Sequence, residues 1–135
     1  MKVYDRLYIG GQWVEPLSAK GSIDVIDSST EEVIGRVAQG GSADVDAAVA
    51  AARDAFDGWA QTPVDVRAKY LRDIGAGLMA RFGDIATTIS GEVGSPKAFA
   101  ELVQTGLAVG DWDAYARIAE EFEWETQVGN SLVVR

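Results

Sequence analysis

The sequence contains no cysteine and no histidine among its 135 residues. Without cysteine it has no disulfide, no thiolate metal site and no cysteine nucleophile. Without histidine it lacks an imidazole base, a serine–histidine triad and the common zinc sites. The residues that most often carry polar catalysis are therefore missing, and we assign no catalytic and no cofactor-binding residue within the chain.

Basic residues are also scarce: 12 lysines and arginines stand against 21 acidic residues, a formal net charge of −9. A nucleic-acid partner or an anionic membrane surface requires a basic patch, so neither is expected. No apolar run approaches the roughly 18–20 residues of a membrane span. The N-terminal stretch shows no apolar core of a signal peptide, and we expect a cytoplasmic protein.

The N-terminal part of the chain has the pattern of two β-hairpins. Apolar and aromatic residues on both sides of Gly10-Gly11 predict a hairpin over residues 7–14, because glycine adopts the positive φ angles of a tight turn. Residues 23–26 and 33–37 form a second strand pair around a polar link. The glycine pairs match no phosphate-binding fingerprint, so we interpret them as turns.

From Ser42 the apolar period becomes helical. A first helix has one face formed by Val45, Val49, Ala52, Phe56 and Trp59. We predict a second helix over about 62–83, a shorter third from Asp84 that stops at Gly94, and a long one over about 97–122. The expected buried face of the second helix consists of four residues: Val66, Tyr70, Ile74 and Leu78.

The chain closes on an apolar run, residues 131–135, which predicts a β-strand. A strand at that position would leave its backbone donors and acceptors unpaired, so we expect the chain to be the front part of something larger. The fold class is α/β: hairpins, then three to four helices, then a final strand.

These segments, in this order, resemble the N-terminal region of NAD(P)-dependent aldehyde dehydrogenases. The resemblance rests on five stretches: 8–14, 25–35, 43–53 with Phe56 and Trp59, Arg67 with Leu71 and Ile74, and 92–96. Within the second stretch the chain departs from the family at Ser28, where relatives have proline, and at Glu31, where they have glycine.

The resemblance implies a partial Rossmann-type fold of the aldehyde dehydrogenase kind. Residues 1–124 would be the N-terminal segment of the cofactor-binding domain, with hairpins in 7–37 and helices in 42–122. Residues 125–135 would begin the oligomerisation strand, and the catalytic domain would be absent. The full-length enzyme would oxidise an aldehyde to a carboxylic acid with NAD or NADP through a cysteine thiohemiacetal.

The resemblance also implies peripheral site residues. In relatives the long helix lines the aldehyde tunnel, which makes Val103, Leu107 and Asp111 substrate-channel candidates, with ordinary helix packing as the alternative. Relatives hold a monovalent cation with an acid that matches Glu92 and with backbone near Val25 and Ile26; a plain structural role for Glu92 is the alternative.

Two hypotheses about function follow. In the first, the chain is a piece of an aldehyde dehydrogenase, inactive and without cofactor by itself. In the second, it is a free-standing acidic binding or assembly module without enzymatic activity. If the partner domain is missing, as in the first hypothesis, we expect bare apolar faces on the helices that begin at Ser42 and Lys97, and hence a homo-oligomer or self-association through those faces. The second hypothesis predicts a stable, monodisperse particle.

Overall fold

The computed structural model describes residues 1–17 and 21–134. The strands of this part are Lys2–Tyr4 (β1), Leu7–Ile9 (β2), Gln12–Val14 (β3), Ser22–Ile26 (β4), Val33–Ala38 (β5), Glu125–Val128 (β6) and Ser131–Val134 (β7). The helices are Ser42–Ala60 (α1), Val64–Ala80 (α2), Phe82–Val93 (α3), Lys97–Phe99 (α4) and Gly106–Glu121 (α5), with a π-helical segment, Ala100–Thr105, joining α4 to α5. Among these helices, none combines the length and the apolar character that a membrane span requires.

Both predicted hairpins are confirmed. Strands β2 and β3 pair antiparallel around Gly10 and Gly11, whose φ angles are +58° and +80°. Strands β4 and β5 pair antiparallel with a register shift next to Ile26. Strand β1, which the sequence pattern did not predict, lies parallel to β5 and completes a sheet in the order β1-β5-β4.

Helix α1 is anchored at its start by one buried carboxylate. Asp44 is 3% exposed and accepts hydrogen bonds from the backbone N–H groups of Leu17, at 2.7 Å, and Gly41, at 2.8 Å. The turn of the first hairpin packs on the same helix, since a Cβ built on Gly10 would lie 3.6 Å from the Cβ of Ala51. Leu17 and the turn of the first hairpin therefore cover the side of α1 that carries its small residues.

The main helical contact joins α2 to α5. The predicted buried face of α2 is wrong for three of its four members, because Val66, Tyr70 and Ile74 are exposed and only Leu78 is half-buried. The face in contact carries smaller residues: Ala68 is fully buried, and a Cβ on Gly75 would lie 3.2 Å from the Cβ of Trp112. Small side chains let the two backbones approach closely, which decides the facing side.

Helix α3 ends as predicted at Gly94, which adopts the left-handed conformation with φ +73°. The predicted long helix is confirmed in extent, but it is α-helical only in α4 and α5. Its π-helical segment, which packs against α3, was not predicted.

The expectation of an unpaired final strand is wrong. Strand β7 pairs antiparallel with β6 over four residue pairs around the turn at Gly129-Asn130. Residues 125–134 therefore form a hairpin and not a single strand. Nearly all of its side chains are exposed, so β-pairing and not core packing holds it together.

The turn between β4 and β5 has a non-glycine residue, Glu31, in the left-handed conformation that glycine usually adopts. Glu31 has φ +61°, and the turn is closed by the Asp27 carboxylate, which accepts from the N–H groups of Ser29 at 2.8 Å and Thr30 at 3.2 Å. For a residue with a side chain the left-handed conformation costs about 1–2 kcal/mol.

We expect Glu31→Gly to raise the free energy of unfolding by about 0.5–1 kcal/mol, because relief of this cost exceeds the entropy that glycine adds to the unfolded chain. Urea denaturation followed by circular dichroism measures the change. The matched control is Glu32→Gly, at the next position, where φ is not positive. An equal loss of stability in both variants would contradict the strain at Glu31.

An ion pair crosses the α2–α5 contact on its exposed side. The Arg72 guanidinium donates to both carboxylate oxygens of Glu120, at 2.8 and 2.5 Å, and lies 4.0 Å from Asp113. The hydrogen bond from Arg72 lowers the pKa of Glu120, and the same hydrogen bond raises the pKa of Arg72.

The pKa of Glu120 is lower in the folded chain than in the unfolded chain. The stability that the ionised Glu120 contributes is therefore complete above the unfolded pKa and is lost as the pH falls through the folded pKa. We therefore expect wild type to be more stable than Glu120→Gln at pH 7 and the difference to shrink steadily below about pH 4.5. Urea denaturation between pH 7 and 3 measures it. Glu121→Gln is the control, since Glu121 forms no ion pair in the described chain. A difference that does not change with pH would contradict the assignment.

Candidate functional site

The substrate-channel candidates lie along one long helix. Val103 is half-buried in the π-helical segment, Leu107 is 63% exposed in the first turn of α5, and Asp111 is exposed one turn further on. A Cβ built on Gly110 would meet nothing within 4 Å in the chain. This stretch of the helix therefore presents an open apolar side with one carboxylate at its end.

The π-helical segment changes how this helix faces its neighbours. An i→i+5 turn contains more residues than an α-turn and therefore changes the direction of the following side chains, and such segments recur at functional sites. Thr105 is 2% exposed and its hydroxyl has no hydrogen-bond partner in the described chain; the same holds for the buried Gln104 Oε1. In a sequence, such a segment shows only as one extra residue between successive apolar positions of the helical repeat.

The corner around Glu92 joins α3 to the β4–β5 hairpin. The Ser28 N–H donates to the Gly91 carbonyl at 3.2 Å, and the Ser28 hydroxyl donates to the Glu92 carbonyl. Val25 and Glu92 line the same cleft of about 560 Å³ between the sheet and α3, whereas Ile26 is not among its lining residues. The structure thus brings together two of the three residues predicted for a cation site.

The donor set at this corner is small. Among the described residues, no group of three acidic side chains converges as a metal site would require. Glu92 is exposed and supplies one carboxylate, and Asp84 is the other acid that lines the cleft. A divalent ion takes several carboxylates, so the single carboxylate of Glu92 does not suit one. Three basic side chains, Lys2, Arg36 and Arg81, line the same cleft.

A second cleft, of about 420 Å³, lies at the far end of the α2–α5 pair. Its lining residues are apolar or aromatic: Leu71, Tyr115, Ile118, Ala119, Phe122 and Trp124. The Trp124 Nε1–H donates to the Ala119 carbonyl at 3.1 Å, and the Arg67 guanidinium lies 5.9 Å from a Trp124 ring centroid. The sequence pattern does not predict this cleft, because its walls come from α2, from α5 and from the segment that follows α5.

Neither cleft combines a nucleophile with a base suited to activate it. The first is lined by two exposed acids and, besides apolar residues, by the polar and basic residues Lys2, Tyr4, Arg36, Arg81, Thr87 and Thr88. The second has the Tyr115 hydroxyl and no charged side chain. The geometry therefore provides an apolar recess and a carboxylate corner, without a nucleophile paired to a base among the described residues of the two clefts.

Comparisons with known proteins agree with this architecture. The profile of the aldehyde dehydrogenase family matches residues 13–134. A 3-succinoylsemialdehyde-pyridine dehydrogenase from a Pseudomonas species is 35% identical over 136 residues, which cover 100% of this chain and 28% of that protein.

Solved structures show the same fold. Aldehyde dehydrogenase C from Pseudomonas syringae, a mutant complexed with NAD+ and octanal, is 37% identical with a TM-score of 0.92 over 97% of this chain and 27% of that one. The Mycobacterium tuberculosis aldehyde dehydrogenase complexed with NAD+ is 34% identical with a TM-score of 0.91 over 99% of this chain and 29% of that one.

The chain thus spans a little over a quarter of the length of the relatives it matches. Within that span the resemblance and the fold class expected from the sequence are confirmed. With the family profile matched over most of its length, the chain belongs to the aldehyde dehydrogenase family.

Proposed function

We propose that this chain is the N-terminal part of an aldehyde dehydrogenase subunit that oxidises an aldehyde to a carboxylic acid with a nicotinamide cofactor. The observation that carries the proposal is the match of residues 13–134 to the family, together with the TM-score of 0.92 to an enzyme that holds NAD+ and octanal. The 135 residues contain no cysteine, so the nucleophile would come from another part of the fold.

The cofactor proposed for the complete enzyme is NAD or NADP. Support for NAD comes from the two solved relatives that are complexed with NAD+. We expect the 135-residue chain alone to bind neither, because nothing in its sequence matches a nucleotide-binding glycine fingerprint.

The role proposed for the long helix is to form one wall of the aldehyde channel, with Val103, Leu107 and Asp111 on it. The exposure of Leu107 and the open space beside Gly110 support this role, because a wall needs an apolar side that its own neighbours leave uncovered. That the complete enzyme is homo-oligomeric and cytoplasmic stays a prediction from the sequence. No observation favours the free-standing binding module.

The proposal predicts two results for the native polypeptide and the isolated chain. An antibody raised against the 135 residues should detect a native polypeptide between three and four times as long, since the chain corresponds to 28% of a relative's length. That polypeptide, once captured, should form NADH or NADPH from a panel of aliphatic and aromatic aldehydes. The isolated chain should form none above a blank without protein.

Absorbance at the near-ultraviolet band of the reduced nicotinamide measures both reactions. Turnover by the isolated chain would contradict the assignment of the nucleophile to another part of the fold. A captured polypeptide that reduces no cofactor with any aldehyde would contradict the enzyme itself.

We further propose that Glu92, with backbone near Val25 and Ile26, holds a monovalent cation. The cleft shared by Val25 and Glu92 supports it, and so does the pair of hydrogen bonds that fixes Ser28 to this corner. Ligand binding to the folded state raises its stability. The melting temperature should therefore be higher in potassium chloride than in tetramethylammonium chloride at equal ionic strength.

Glu92→Gln should abolish that potassium-dependent rise, because the amide has no charge to hold the ion. Asp84→Asn, which removes another acid of the same cleft, should keep it. Differential scanning calorimetry on the three proteins measures the rise. The same increase in Glu92→Gln as in wild type would leave Glu92 with a structural role only.

A further inference from the structure

The buried side of the long helix changes its spacing at Thr105. From this residue onward, a series of buried and half-buried positions follows α-helical steps of four and three: Thr105, Val109, Trp112, Ala116 and Ala119. Before it, the nearest fully buried residue is Ala100, five positions back, whereas Leu102, which a continuous α-helix would turn inward, is 79% exposed. The π-helical segment therefore contains one residue more than an α-helix would place between Ala100 and Thr105.

The hydrogen bonding of Thr105 shows the same change. The hydroxyls of Thr87 and Thr88 in α3 donate to the backbone carbonyls four residues back, at 2.8 and 2.9 Å, as threonine commonly does in an α-helix. Thr105 is 2% exposed, and its hydroxyl has no hydrogen-bond partner in the described chain. The carbonyl four residues before it, that of Glu101, accepts the N–H of Gly106 instead. The π turn thus withdraws from Thr105 the acceptor that an α-turn offers.

A side chain at Gly106 would crowd the π turn. A Cβ built there would lie 3.3 Å from the carbonyl oxygen of Glu101, which is the acceptor of the five-residue hydrogen bond. Gly77, inside the regular helix α2, has no atom of the described chain within 4 Å of a built Cβ. Alanine is also a better α-helix former than glycine. A methyl group at position 106 therefore disfavours the π turn and favours an α-turn, whereas at position 77 it changes the helix propensity alone.

The part of the helix after Gly106 is fixed by its contact with α2, where Trp112 packs over Gly75. A change from π to α geometry would therefore turn the residues before Gly106, by about 100° for the one extra residue. Leu102, now exposed, would turn toward the buried side. Val103, now half-buried, would turn away from it. The π turn thus determines which of these two side chains faces outward.

We propose that Gly106 is a positioning residue of the aldehyde channel: by holding the π turn, it fixes the side of the helix on which Val103 lies in the channel wall. Only the channel role depends on the proposed function. The π turn itself is enclosed by the chain's own residues, since Ala100 is 0% and Thr105 2% exposed, so it does not depend on what covers the exposed faces of the chain.

Single cysteines report the turn, because the chain has no cysteine of its own. Leu102→Cys and Val103→Cys are each made in wild type, in Gly106→Ala and in the matched control Gly77→Ala. The rate of N-ethylmaleimide labelling is measured by mass spectrometry. Gly106→Ala should lower the rate at position 102 and raise it at position 103, each at least about threefold, because a thiol reacts according to its exposure. Gly77→Ala should leave both rates unchanged. Equal rates in the two alanine variants overturn the proposal.

Thr105→Val tests the π turn without adding bulk, and it decides the matter if Gly106→Ala does not fold. A buried hydroxyl without a partner lowers stability, so its removal should raise the midpoint of urea denaturation. Thr87→Val is the control, since it removes a hydroxyl that donates to the Gly83 carbonyl, and it should not raise the midpoint. A lower midpoint for Thr105→Val would show a paired hydroxyl, as in an α-turn, and would overturn the π turn.

The channel role is measured in a chimera in which the chain replaces the matched region of aldehyde dehydrogenase C from Pseudomonas syringae, whose solved mutant is complexed with NAD+ and octanal. Gly106→Ala should raise the KM for octanal at least about threefold and keep kcat within about twofold, because a displaced wall residue changes binding and leaves the reacting groups in place. Gly77→Ala should keep both constants. An unchanged KM in Gly106→Ala overturns the channel role.

A chimera that binds octanal without turnover is compared by its dissociation constant, with the same threefold criterion between Gly106→Ala and Gly77→Ala. A chimera that neither binds nor oxidises octanal contradicts the channel role together with the proposed function. Labelling and denaturation use the chain without substrate, so they decide on the π turn whether or not aldehyde oxidation is found.

Discussion

The close contact between α2 and α5 is the constraint on which the helical part depends. With a Cβ on Gly75 only 3.2 Å from the Cβ of Trp112, position 75 has no room for a side chain, and Trp112 packs directly over it. Ala68 on α2 and Ala116 on α5 are accordingly fully buried. Leu71, Leu78 and Trp112 are half-buried beside these small residues, whereas Tyr70, Ile74 and Tyr115 remain exposed.

The same contact explains where the charges lie. Arg72 and Glu120 join the two helices along the exposed border of the small-residue seam, where both charges stay hydrated and lose little solvation. Asp113 lies 3.6 Å from Arg117 and within 4.0 Å of Arg72, so acids and bases alternate along that border. Packing brings the helices together, and the ion pairs favour one alignment of the two.

The sequence predicted those elements whose determinants are local. Gly10-Gly11 and Gly94 require positive φ angles, and the first hairpin turn and the end of α3 lie where these residues place them. The helix boundaries followed from apolar period in the same way. Strand β1 could not be predicted, because its pairing depends on β5, which follows only after the whole first hairpin and β4.

The prediction of the buried face of α2 was wrong for a different reason. Both sides of that helix carry apolar residues, and a prediction from residue size favours the side with Tyr70 and Ile74. Packing within the chain selects the side with Ala68 and Gly75, because close approach gains more contact than one large side chain.

The candidate site shows the same division. Glu92 and Val25 meet at one cleft because Ser28 ties the hairpin to the end of α3, a tertiary contact that no spacing in the sequence reveals. The resemblance to the family predicts these residues as a cation site, whereas the pattern of the chain alone does not. Ile26 lies outside the lining of this cleft, and the cation site stays a prediction from the resemblance.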